Sequence, residues 1–191
     1  MTVAALPTGR GSAELRRCVV VGGALANPGG RGPVLDLLLV CSGASSLAQL
    51  VALEPWSRRH RARWVAIPSA EVLSVLRGER VRWTLRPVAD PPGGPSARDL
   101  VNLARNLGLA WQVLRQERPD AVLAGDAGTA VPFLALARLL RIPGVYLEDC
   151  DRPNDAGSLD RLCRRLADRT VVPWEEQAEL YADADVVGCL L

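Results

Sequence analysis

The sequence contains no lysine. Arginine supplies all 23 basic side chains, against 21 carboxylates and a single histidine, so the formal net charge is only +2. So small an excess excludes the electrostatic footprint of a nucleic-acid-binding domain. Arginine forks do suit bidentate contact with phosphate or carboxylate. A uniform composition bias is the simpler account of them.

Metal and disulfide chemistry are also poorly provided for. The five cysteines, Cys18, Cys41, Cys150, Cys163 and Cys189, are odd in number and form no CxxC pair. That argues against a disulfide framework and against a zinc site, and leaves reduced, structural thiols. His60 sits in Ser57–Arg63 among four arginines and reads as a solvated surface residue, since a metal needs more than one ligand. No apolar run approaches the ~20 residues of a spanning helix. The apolar stretch Cys18–Ala26 after Arg16 and Arg17 is too short and glycine-broken for a signal peptide. A membrane would be met from the side.

What is present is a globular composition: 191 residues, 49% apolar and 23% charged. That is enough for one domain with a real core, and it is not the composition of a disordered chain. Residues 1–33 lack sustained periodicity and read as a flexible extension, with one short strand near Cys18–Val21. From Val34 the pattern becomes regular. Val34–Cys41 is an apolar run of the kind that forms a strand buried on both faces. Ser46–Leu53 reads as a helix stopped by Pro55. Strands follow at Arg63–Ile67, Val81–Leu85, Ala121–Ala124, Val145–Glu148, Arg169–Val172 and Val186–Val187. Helices are expected at Ala70–Leu76, Ala97–Glu117, Ala130–Leu140, Leu159–Ala167 and Trp174–Tyr181. In the long helix, Leu100, Leu103, Ala104, Leu107, Trp111 and Leu114 recur at helical spacing, which predicts a core-facing stripe. Arg98, Arg105 and Arg115 beside these residues also allow a helix lying in a membrane interface.

Alternating strands and helices predict an α/β fold with a doubly wound, mostly parallel, Rossmann-like sheet over residues 34–191. Ligands of such sheets bind beyond the carboxyl ends of the strands. The loops of interest are therefore Ser42–Ser46, Gly125–Gly128 and Glu148–Asp155. In the first, Gly43 permits close backbone approach, and Ser45 and Ser46 are candidates to donate to a phosphate or to cap the helix. In the second, Asp126 and Gly128 stand at a strand end. In the third, Glu148, Asp149 and Asp151 cluster beside Arg152. Their spacing alone does not secure the oxygen ligands of a hard metal, and no metal or cofactor is expected.

Several blocks in order, among them LLLVCSGASSLAQLVALEPW (37–56), NLARNLGLAWQVLRQERPDAVLAG (102–125) and AGTAVPFLALARLLRIPGVYLEDCDR (127–152), carry a family likeness. RWVAI (63–67) and WEEQAELYADADVVGCLL (174–191) extend it. Together they resemble bacterial exopolysaccharide glycosyltransferase subunits of the PssD type. These are counterparts of the membrane-anchoring subunit of the eukaryotic dolichol-linked N-acetylglucosaminyltransferase. The resemblance implies the N-terminal, acceptor-side half of a GT-B transferase. It implies a heterodimer, in which a partner subunit binds the nucleotide sugar and the C-terminal tail helps dock it. The acceptor would be a lipid-diphosphate-linked saccharide at the cytoplasmic face of the membrane, reached by peripheral attachment. The family block points to Glu148 and Arg152; taken with the chemistry of the loops, Gly43, Ser45, Ser46, Gly128, Asp151 and Arg152 are the substrate-binding candidates and Asp126 and Glu148 the catalytic candidates.

The loops depart from the family text. Gly43-Ala44-Ser45-Ser46 places Ser46 where the family carries histidine, and a serine cannot act as a base near neutral pH. Two readings follow. Either Asp126 has taken over as base, or the chain is a catalytically weakened scaffold that recruits a partner or binds the lipid-linked acceptor.

Overall fold

The computed structural model describes residues 19–21, 24–26, 34–83, 88, 96–148, 157–172 and 184–186. Strands β1 (Val19–Val21) and β2 (Ala24–Ala26) form a separate antiparallel hairpin. The N-terminal stretch, read from sequence as an extension with one strand, therefore holds two. The main sheet begins at β3 (Asp36–Cys41), which is followed by α1 (Ala44–Ala52) and a one-turn α2 (Glu54–Ser57). Then come β4 (Arg61–Ala66), α3 (Ala70–Val75) and β5 (Val81–Trp83). The long α4 (Ala97–Glu117) leads into β6 (Ala121–Gly125), α5 (Ala127–Leu140) and β7 (Gly144–Leu147). Helix α6 (Ser158–Leu166), β8 (Arg169–Val172) and β9 (Ala184–Val186) complete the order.

Seven strands pair in the order β5-β4-β3-β6-β7-β8-β9, all parallel. Counted from β3, this is the 3-2-1-4-5-6 winding of the Rossmann fold with one strand added. The order reverses between β3 and β6, and there the crossovers leave to opposite faces. Leu37, Leu39 and Cys41 pack on one face with Leu47 and Leu50 of α1 and Val72 of α3. Leu38 and Val40 pack on the other, with Val113 of α4 and Phe133 and Leu134 of α5. The four residues Leu37–Val40 are at most 1% exposed. Each such side chain contributes roughly 1.5–3 kcal/mol by burial, which explains an apolar run without alternation.

Aspartates clamp the strand starts. The Asp36 N–H donates to the Asp120 carboxylate at 2.8 Å, while the Asp120 N–H donates to the Asp36 carbonyl at 2.8 Å. Asp168 does the same for Gly144, at 2.9 and 2.8 Å. Each pair joins neighbouring parallel strands and sets their register.

Most boundaries follow the sequence reading, with four differences. Pro55 does not end a helix so much as lie in the first turn of α2, where its missing N–H has no intrahelical partner to lose. Helix α5 begins three residues earlier than Ala130, directly after Asp126. His60 is half-buried rather than solvated, and its Nδ1 accepts the Leu35 N–H at 3.3 Å. The largest difference concerns the face of α4. Its buried residues are Asn102, Asn106, Ala110, Val113 and Leu114, whereas Leu100, Val101, Leu107 and Trp111 are 43–53% exposed. The Leu100–Leu107–Trp111 stripe faces outward. The expected helix Trp174–Tyr181 lies outside the described residues.

Candidate functional site

The carboxyl ends of β3, β6 and β7 converge at the winding reversal and carry the first two candidate loops and the start of the third. After β3, the Ser42–Ser46 turn leads into α1, with Gly43 as its N-cap in an extended conformation. The Ser46 hydroxyl serves this turn. It accepts from the N–H groups of Ser42 and Gly43, at 3.3 and 3.4 Å, and donates to the Gly43 carbonyl at 3.2 Å. At 1% exposure, Ser46 lies beneath the crevice rather than lining it. Ser45 is half-buried in the first turn.

The β6 loop packs directly on this turn. A Cβ at Gly125 would lie 2.9 Å from the Ser46 Cβ, so the strand end needs glycine to pass the serine. Asp126 follows as the N-cap of α5 with φ 64° and ψ 112°, a conformation that side chains with a Cβ seldom adopt. Its Oδ2 accepts from the Thr129 hydroxyl at 3.3 Å. The carboxylate also lies near the Cys41 thiol at the end of β3. Burial first, and the Asp126 charge second, push that thiol up to about 12. Cys41 is thus held as a neutral thiol. Gly128 is required for a different reason, since a Cβ there would lie 2.3 Å from the Val88 carbonyl oxygen.

Glu148 stands just past β7 and is 5% exposed. Arg164 of α6 reaches its Oε1 at 3.4 Å. Its backbone carbonyl accepts from the Gln49 side-chain amide at 2.9 Å, a buried bond from α1 that spans the end of β6. Beneath it, the buried Tyr146 hydroxyl donates to Asp160 at 2.6 Å. Burial, followed by the charges of Cys163, Asp160 and Glu148, holds that phenol well above its ordinary range. The Cys163 thiol donates to the Ala127 carbonyl at 3.6 Å, tying α6 to the start of α5.

The structure therefore brings Gly43, Ser45, Ser46, Asp126, Gly128 and Glu148 to one end of the sheet. Asp151 and Arg152, with Asp149, lie outside the described residues. Among the described residues no cluster of three or more potential metal ligands occurs. Sequence reasoning missed Gln49, Arg164 and the Tyr146–Asp160 pair. Gln49 carried a faint signal, as a polar residue on the inward side of the Leu47-Ala48-Gln49-Leu50 turn.

The sequence matches no protein-family model and no curated protein. Solved structures do match its fold. Acinetobacter baumannii MurG is 18% identical with a TM-score of 0.56, covering 73% of this chain and 42% of its own. The UDP co-structure of MnaA from S. aureus is 16% identical with a TM-score of 0.60, covering 78% and 42%. The Neisseria meningitidis UDP-GlcNAc 2-epimerase bound to UDP-GlcNAc is 17% identical with a TM-score of 0.55, covering 75% and 42%. The chain spans about two fifths of the length of these matches. The fold is thus the Rossmann-like α/β half-domain of GT-B-type enzymes.

Proposed function

We propose that this chain is the acceptor-side subunit of a two-component glycosyltransferase. It would move a sugar from a nucleotide sugar, bound by a partner subunit, to a lipid-diphosphate-linked acceptor in polysaccharide assembly. The observation that carries the reading is the crevice at the β3–β6 reversal, which collects two helix N-termini and a carboxylate in a GT-B-type half-domain. Helix N-termini favour a diphosphate. In the transfer, an acceptor hydroxyl oxygen bonds to the anomeric carbon, the bond to the nucleoside diphosphate breaks, and Asp126 takes the hydroxyl proton. Glu148 helps hold the acceptor beside it. The resemblance of the sequence blocks to PssD-type subunits supports the lipid-linked acceptor and the separate donor subunit.

Peripheral attachment at the cytoplasmic membrane face belongs to the same proposal. No helix among the described residues is long and apolar enough to cross a membrane. The outward stripe Leu100, Leu107 and Trp111 on α4, with Arg98, Arg105 and Arg115 on the same helix, has the amphipathic chemistry of an interfacial contact. The Arg115 guanidinium lies 4.9 Å from the Trp111 ring centroid.

A second reading, a non-catalytic scaffold subunit, is favoured by the engagement of Ser46 in its own turn and of Glu148 with Arg164. The experiment is co-expression with the nucleotide-sugar-binding subunit, assayed on a lipid-diphosphate sugar with candidate nucleotide sugars. Turnover that falls in Asp126→Asn and Glu148→Gln supports the site. Turnover unchanged in both variants removes it, and a stable complex without turnover selects the scaffold.

A further inference from the structure

The opposite end of the sheet carries a second cluster that the crevice does not use. On the α4 side of the sheet, Arg61, Arg63 and Arg82 share the face of Val65 at the margin of the core, with Arg63 half-buried and the other two exposed. Glu117, in the last turn of α4, bridges two of them: Oε2 to Arg63 at 2.9 Å and Oε1 to Arg82 at 3.1 Å. Asp36 takes Arg61 and a second contact from Arg63, at 3.2 and 3.3 Å. Arg80, just before β5, lines the same cavity and pairs with no carboxylate among the described residues. The cavity measures about 200 Å³ and is walled by Leu38, Trp64, Val81 and Val113 in addition to the charged groups. Three arginines, Arg63, Arg80 and Arg82, thus face one carboxylate, Glu117, in the recess, with the Arg61–Asp36 pair outside its lining.

An ion-pair network built for stability alone would match each cation with a carboxylate, and the exposed Arg80 has none among the described residues. Here the surplus is positive and converges on a recess. Guanidinium forks match the oxygens of a phosphoryl group bidentately. The volume falls below the roughly 300 Å³ at which pockets for drug-sized ligands begin, and suits a single phosphoryl group. We propose that the recess between β4, β5 and the end of α4 is a binding site for a phosphate dianion, held by Arg80, Arg82 and Arg63. In this arrangement the Glu117 carboxylate competes with the ligand for two of the three arginines. The site is independent of the crevice, so it stands or falls without the transferase reading.

The test uses the full chain titrated with inorganic phosphate at constant ionic strength, followed by calorimetry and thermal melting. Saturable binding is expected, with none for chloride. Arg80→Gln lies on the rim and leaves the ion pairs intact, and it should weaken binding about tenfold or more, the worth of one charge-assisted hydrogen bond. Glu117→Gln should bind phosphate more tightly than the parent even where its own melting temperature falls, an outcome that a purely structural network does not produce. Phosphatidic acid vesicles form the second arm. Sedimentation with them that is lost in Arg80→Gln assigns the phosphate to a lipid headgroup, whereas binding only of free phosphate assigns a soluble ligand. A response matched by sodium chloride, or one equal in the parent and Arg80→Gln, overturns the proposal.

Discussion

At the scale of single residues, the crevice concentrates positions where ordinary side chains do not fit. Asp126 holds φ 64° although it has a Cβ. Such a conformation costs on the order of 1–3 kcal/mol. Replacing Asp126 by Ala removes the carboxylate and keeps the strain, while Gly removes both. Asp126→Gly should therefore be more stable than Asp126→Ala by about 1–3 kcal/mol in urea unfolding. Equal stability of the two variants would show that the backbone there is relaxed. At Gly128 the expectation reverses. A Cβ 2.3 Å from the Val88 carbonyl must displace backbone, so Gly128→Ala should destabilise by about 1–3 kcal/mol. Both positions are picked out in the sequence as site candidates, but their backbone constraints are not. Gly128 reads as one more glycine in a turn, and Asp126 as an ordinary strand-end acid, because backbone dihedrals are set by what packs around them.

At the scale of elements, α4 separates what periodicity reveals from what it conceals. Its length and both ends follow from its letters: Ser96 accepts from the Asp99 N–H at 3.3 Å, and Asp99 returns a bond to the Ser96 N–H at 3.0 Å. Its orientation does not follow, because two apolar stripes compete. The buried one, Ala110, Val113 and Leu114, carries Asn102 and Asn106 at its start, and these polar residues disguise it. Exchange of Leu107 for Gln should thus change stability by less than about 0.5 kcal/mol, as at other exposed sites. Asn106→Ala, at 1% exposure, should cost about 1–3 kcal/mol, because it leaves buried partners unsatisfied. In flotation with anionic vesicles the order inverts: Leu107→Gln loses binding and Asn106→Ala retains it. Vesicle binding indifferent to Leu107 would remove the membrane role of α4. The strands were more legible than the helix faces, since Leu37–Val40 is buried on both sides and needs no face to be chosen. Two candidate loops and Glu148 at the start of the third were legible as neighbours at one end of the sheet, but not as a set of contacts. The Gln49–Glu148 bond joins residues 99 apart, and no local pattern encodes it.

At the scale of the whole molecule, the half-buried His60 and the buried Cys41 and Tyr146 make stability depend on pH on both sides of neutrality. Burial, and then Arg59, lower His60 below its ordinary 6.5. The unfolded chain therefore takes up a proton that the folded chain resists, and stability should fall as pH drops below 6.5. On the alkaline side Cys41 ionises at 9.0 when unfolded and at about 12 when folded. Stability should then fall as pH rises from 9 towards 12, with Tyr146 adding in the same direction above 10. Urea midpoints measured across pH check both limbs: His60→Gln should flatten the acid limb and Cys41→Ala the alkaline one. The winding of the sheet has a further consequence. Strands β3, β4 and β5 lie on one side of the reversal and β6 to β9 on the other, and within the sheet the two groups meet only where Leu37–Val40 pairs with Ala121–Ala124. The chain is in effect two half-sheets zipped along one parallel seam, and the crevice opens at the end of that seam. Whatever occupies the crevice touches both halves, so its binding energy also resists their parting. The ligand acts as a rivet, and a chain cut between β5 and α4 should reassemble more readily in its presence.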